Sequence, residues 1–257
     1  YLRVCRFFFS LDPLDLTKRK IYTREGLRRG VFRTAGYNGN KKRRKIRGRF
    51  KEAKMTYFTS DLHFGHANIM KFHPNFRQFQ NINEMDNTLI RLWNSRVNPC
   101  DEVYNLGDVS FHKDFEQTLK ILKRLNGKHV LILGNHDQEI RKRADELLAM
   151  RKDDNNALFE EICDYKELAL KHGGENFRLA LFHYPICEWN GGHHGAVHLY
   201  GHIHANVAKI KGKALNVGYD LHGKILEFGE ILEFVKDLPP YSHGGNQFGE
   251  NEDEGVR

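Results

Sequence analysis

The 257-residue chain has four cysteines, Cys5, Cys100, Cys163 and Cys187, and no CxxC pair among them. That excludes the ligand spacing of a zinc ribbon and the density of a disulfide framework. The expected setting is reducing and cytoplasmic. Long apolar runs are missing as well: no window approaches the roughly 20 residues that span a bilayer, so a soluble chain with no membrane partner is expected. Proline is scarce. Two of the six prolines, Pro239 and Pro240, are adjacent and are expected to stop the last helix.

Charge is plentiful but unevenly placed. Residues 1–54 carry 18 Lys and Arg against 4 Asp and Glu, a net +14, which leaves 23 against 29, a net −6, for the remainder. The run KKRRKIRGR, Lys41 to Arg49, has no apolar period around it and reads as a flexible basic arm. Three readings of the arm stay open. It grips nucleic acid by neutralising phosphates, it is an organellar transit segment, for which its one serine, Ser10, is a poor match, or it is an extension dispensable for chemistry, since Met55 stands before the first strand as an initiator would. Residues 55–240 then form one catalytic domain, and the Gly-, Asn- and Glu-rich stretch 241–257 is expected to be a disordered tail.

Within 55–240 short β-rich runs alternate with longer helical ones. Strands are expected at 57–60, 102–106, 129–133, 178–182, 197–200 and 214–217. Asn83 is expected to cap a helix with Met85, Leu89, Leu92 and Trp93 on one side, and Lys113 to Leu125 repeats the pattern with Phe115, Leu119, Leu122 and Leu125. Residues 225–238 read as a strand and then a short helix. The alternation argues for a layered α/β domain.

Polar residues gather where these strands end. Asp61 and His63 follow the first, Asp108 the second, Asn135, His136 and Asp137 the third, His183 the fourth, and His202 and His204 the fifth. Ligands bind outside the carboxyl ends of strands in open α/β sheets, so five exits can share one crevice. Each motif alone is weak; the ordered set is specific. Asp, Asn and neutral His suit Mn, Fe, Ni or Zn, and seven such donors are too many for one tetrahedral ion and about right for two ions with open positions.

The series DLH, GD, GNHD, a lone H after a strand, and GHIH resembles the calcineurin-like metallophosphoesterase superfamily, in particular its small stand-alone bacterial and phage members, from Met55 to about Leu238. The resemblance implies a β-sandwich flanked by helices. It also implies that Asp61, His63 and His204 hold one divalent ion, Mn foremost, that Asn135, His183 and His202 hold a second, and that Asp108 bridges them. His136 matches the family's histidine that faces substrate, with Asp137 expected to orient its imidazole. His66 is not required as a ligand; it reads as a turn histidine or, functionally, as a contact to the substrate phosphate or the leaving group. His73, His112, His193, His194 and His198 are expected to be structural.

The activity implied is hydrolysis of a phosphoester by attack of a metal-bound hydroxide, with phosphodiesters of nucleotides or nucleic acid foremost and phosphomonoesters as the alternative. A non-catalytic interaction scaffold, as in the retromer subunit that reuses this fold, would be expected to lose ligands or the GNHD histidine. Neither is lost here. The sequence carries no sign of oligomeric state.

Overall fold

The computed structural model describes residues 54–152 and 155–242. The expected arm, save Lys54, and the expected tail beyond Ser242 lie outside the described residues. In chain order the strands are β1 Thr56–Thr59, β2 Glu102–Asn105, β3 Lys128–Ile132, β4 Glu161–Cys163, β5 Tyr165–His172, β6 Glu175–Phe182, β7 Val197–Tyr200, β8 Ala214–Asn216 and β9 Leu226–Glu227. The helices are α1 Ile69–Phe72, α2 Ile82–Arg96, α3 Phe115–Arg124, α4 Gln138–Lys142, α5 Ala144–Ala149, α6 Tyr219–His222 and α7 Phe228–Val235.

Two mixed sheets result. The first has the order β4-β3-β2-β1-β9, parallel except for β9; the second has the order β5-β6-β7-β8, with β5 antiparallel to β6 and the rest parallel. Alternation along the central strands decides what each face meets. Tyr57, Val103 and Leu131 join a cluster with Met85, Leu89 and Trp93 of α2 and Leu119 and Leu122 of α3. Their neighbours Phe58, Tyr104, Val130 and Ile132 join a second cluster with Leu179 and Leu181 of β6, Val197 and Leu199 of β7, and Phe228, Ile231 and Val235 of α7. The first sheet is thus covered by helices on one face and by the second sheet on the other. Phe58 is fully buried and stacks on Tyr104. Truncating it to alanine would cost about 3–5 kcal/mol, because the rigid layers on both sides cannot close the cavity.

Local signals set the helix ends. Asn81, not Asn83, caps α2: its side chain accepts the N–H of Glu84 at 3.0 Å, and Glu84 in turn accepts the N–H of Gln80 at 2.8 Å. Leu92, expected on the apolar side with Leu89, is exposed. Asp114 caps α3 by accepting from Glu116 N–H. Glu227 and Glu230 form a reciprocal capping box on α7, which ends before Pro239. The strand β5 escapes the sequence pattern because it pairs with β6 at the sheet edge and carries Lys and Glu with only half-buried apolar neighbours. Tyr241, at the head of the expected disordered tail, donates its N–H to the Gly192 carbonyl at 3.1 Å.

Candidate metal centre

The loops that leave β1 and β2 run side by side. Asp61 N–H donates to Gly107 O, His63 N–H to Asp108 O and Phe64 N–H to Val109 O, each at 3.0 Å. Glycine lets further loops close on this pair. A Cβ on Gly134 would overlap the Asp108 carboxylate, and one on Gly201 would overlap Ser60 Oγ and the Asp61 carboxylate. The His202 N–H donates to Asp61 Oδ2 at 3.0 Å, so the β7 exit is tied directly to the β1 exit.

This convergence gathers all seven expected ligands. Asp61, His63 and His204 offer donor atoms within 4.8 Å of one another, and Asp108, His183 and His202 do the same. Asp108 Oδ2 lies 3.6 Å from His63 Nε2 and 3.6 Å from His183 Nε2, between the two groups. Asn135 Oδ1 is 3.1 Å from His183 Nε2. Asp61, His63, Asp108 and His183 are almost wholly removed from solvent, whereas Asn135, His202 and His204 are half-buried.

The donors fit divalent cations on grounds internal to the fold. Both ring nitrogens of His63 are buried without a hydrogen bond, a state that costs about 1–3 kcal/mol per polar group unless something is bound there. His183 donates its Nδ1–H to Leu106 O at 2.6 Å, which fixes the tautomer and leaves Nε2 unprotonated toward Asn135 and Asp108. His204 likewise spends Nδ1 on Asp220 Oδ2 at 2.7 Å. Burial works against ionising Asp61, but contact with His63, His183 and His204 prevails and holds its carboxyl below the ordinary range. Burial, followed by the nearby His183 ring, pushes His202 down, toward the neutral state a ligand requires. Burial also works to lower His204, but the Asp220 carboxylate overcomes it and raises the ring.

Backbone strain marks the same residues. Among the described residues six that are not glycine have left-handed φ, and five of them are Asp61 (57°), His63 (49°), Asp108 (55°), His202 (70°) and His204 (53°). Asp and His tolerate this region better than most residues, yet each still costs on the order of 1 kcal/mol or more.

His136 and Asp137 separate in role. His136 is exposed, packs its ring against Phe111 at 4.3 Å and His63 at 5.9 Å, and donates its N–H to Asp108 Oδ1 at 2.9 Å. Asp137 does not hold the His136 imidazole as expected. Its buried carboxylate accepts three backbone N–H groups, from Asp108 (2.8 Å), Val109 (2.9 Å) and Gly134 (2.8 Å), and so clamps the β2 and β3 exits together. Burial raises its carboxyl, the three backbone bonds only partly opposing it. His66 is half-buried and stacks flat on Phe111 at 4.1 Å, one side chain away from His63.

Two supports were not foreseen from the sequence. Arg77 is buried, donates Nη2–H to Asp61 O (2.7 Å) and Nη1–H to Leu62 O (2.9 Å), and pairs through Nε with Asp220 Oδ1 (2.5 Å). Asp220 therefore links Arg77 to His204. His73, expected to be structural, stacks on His204 at 4.5 Å and can also join His204 and Asp220 as a donor. His112 pairs with Asp86, and His198 bonds Ala180 O.

No family model matches the chain. The uncharacterized protein MJ1445 of Methanocaldococcus jannaschii is 31% identical over 199 residues, covering 71% of this chain and 97% of that protein. The gene 66 proteins of Mycobacterium phages D29 and L5 are 28% and 27% identical, each over 71% of this chain and over 96% and 95% of their own length. Among solved structures, a protein of unknown function from Aquifex aeolicus, AQ665, shares the fold with a TM-score of 0.51 at 24% identity, over 71% of this chain and all of that one. Among the described residues no helix is long and apolar enough to cross a membrane.

Proposed function

The chain belongs to the family of the uncharacterized Methanocaldococcus jannaschii protein MJ1445, and within that family we propose that it is a phosphoesterase of the calcineurin-like kind, using two divalent cations to hydrolyse phosphodiesters of nucleotides or nucleic acid. One observation carries the reading: the Asp108 carboxylate oxygen sits equally far, 3.6 Å, from a histidine nitrogen of each donor group. Such a shared carboxylate is what a pair of neighbouring cations needs.

In this reading Asp61, His63 and His204 hold one cation, Asn135, His183 and His202 the other, and Asp108 both. Manganese is the first choice, with Fe, Ni and Zn as alternatives, since the donors are all oxygen and imidazole nitrogen. When bound, the pair supplies the positive charge that acidifies a water and offsets the phosphoryl oxygens during in-line displacement. The remaining work falls to side chains. Leu106 O and Asp220 keep His183 and His204 in the tautomer that presents Nε2. Exposed His136 stands at the rim with a ring nitrogen free to protonate the leaving oxygen or to hydrogen-bond a phosphoryl oxygen.

The test is metal content by elemental analysis of purified protein, followed by rates on bis-aryl and mono-aryl phosphate with manganese added. About two ions per chain and faster diester cleavage are expected. A protein that holds no divalent ion after manganese dialysis sinks the reading; a strong preference for the monoester moves the activity to phosphomonoesters.

A further inference from the structure

Consecutive residues at the end of α1, Phe72 and its neighbour His73, reach the two histidines that flank His63. The Phe72 ring meets His66 edge-on at 6.5 Å, and His73 lies flat on His204 at 4.5 Å. His66 and His204 are in turn 5.5 Å and 4.9 Å from the His63 ring. The end of this short helix therefore brackets the donor groups with aromatic surface. Phe72 is 65% exposed, an unusual position for phenylalanine beside so polar a centre. Its only ring partner among the described residues is His66. His66 carries a buried Nδ1 with no hydrogen-bond partner.

An exposed aromatic ring set edge-on beside an imidazole suits a flat ring that carries its own donors and acceptors. Aliphatic or sugar leaving groups gain little from it, whereas every nucleobase offers a π-face, and stacking on protein aromatics is tolerant of which base it is. The Phe72 ring is two ring contacts away from His63, 6.5 Å to His66 and 5.5 Å on to His63, a reach on the scale of one nucleoside phosphate. We propose that Phe72, with His73 and His66, forms a stacking subsite for the base of a nucleoside phosphate whose phosphate lies at the donor groups, an inference that rests on the phosphoesterase reading. It makes the substrate class nucleotide rather than simple alkyl phosphate, with low base selectivity.

Ligand-detected NMR at low temperature, on a time scale short of turnover, compares adenosine 5′-phosphate with ribose 5-phosphate on the manganese-loaded protein. The nucleotide should bind about tenfold more tightly, the scale of one base stacked on an aromatic side chain. Phe72→Ala should erase that difference and Phe72→Trp should keep it. Because Phe72 is mostly exposed, both variants are expected to fold, which circular dichroism checks. Equal affinity for the two ligands in the unaltered protein, or a gap that survives in Phe72→Ala, overturns the subsite while leaving the phosphoesterase reading intact. If neither ligand binds although the cations are held, the phosphoesterase reading fails and the subsite with it.

Discussion

Arg77 and Asp220, 143 positions apart in the sequence, form a salt bridge of 2.5 Å with no solvent access to either side chain. The guanidinium also caps the carbonyls of Asp61 and Leu62, and Asp220 also holds His204. Breaking such a buried pair on one side leaves a charge without a partner, which costs about 3–5 kcal/mol. Arg77→Met should therefore lower the denaturant midpoint sharply, and Arg77→Met with Asp220→Asn should recover part of the loss. A single variant as stable as the unaltered protein would show that the pair does not hold the centre together.

Asp108 and His136 should part company. Asp108→Ala removes the carboxylate that lies 3.6 Å from a histidine of each donor group and is expected to strip most bound metal. His136→Ala removes no donor atom from either group, only a ring packed edge-on against His63, and should retain metal while losing turnover by about 10²-fold or more, the scale of general acid catalysis. Elemental analysis beside steady-state rates reads both. Equal metal loss in the two variants would contradict the division of roles.

Asp137 should behave as a clamp and not as a partner of His136. Asp137→Ala leaves three buried N–H groups without acceptors, at about 1–3 kcal/mol for each that water does not reach. The expected signature is a lower melting temperature and weaker metal retention, with the pH dependence of the residual activity unmoved. A shifted pH profile in a stable Asp137→Asn protein would restore the role in orienting the imidazole.

The sequence announces the centre more clearly than its supports. Every expected ligand stands within a few residues of a strand end, where an apolar run stops and Asp, His or Asn begins, so topology alone brings them together. Arg77 and Asp220 carry no such signal. Arg77 lies in the irregular stretch between α1 and α2, and Asp220 in the four-residue α6; only tertiary contact reveals that each needs the other. The edge strand β5 escapes for a different reason, since a strand with Lys166, Glu167 and Lys171 and no fully buried residue lacks the apolar run that marks β1 or β7. The Asp137 assignment failed because proximity in GNHD suggested a side-chain partner, whereas the tight turn aims its carboxylate back at the backbone.

Acid should weaken the fold through His198. The ring is fully buried, bonded to Ala180 O at 3.1 Å and to the Ile186 N–H at 3.3 Å. Burial pushes its pKa from 6.5 down to about 4, against the opposing backbone bonds. The unfolded chain thus binds a proton between those values that the folded chain refuses. The stability from this neutral ring is fully present above pH 6.5 and is lost as pH falls to about 4, on the order of 3 kcal/mol. Denaturation midpoints from pH 7.5 downward, taken as the difference between the unaltered protein and His198→Gln, isolate this share from that of His66, which is displaced the same way. A difference independent of pH would refute it.

The left-handed φ at Asp61, His63, Asp108, His202 and His204 leaves a signature that outlasts activity. A descendant released from the proposed activity has less reason to keep a side chain where the backbone resists one, and glycine relieves that backbone tension. Copies released from that activity should therefore drift toward glycine first at His63, whose buried ring nitrogens make no hydrogen bond, and last at Asp61 and Asp108, whose carboxylates accept backbone N–H groups.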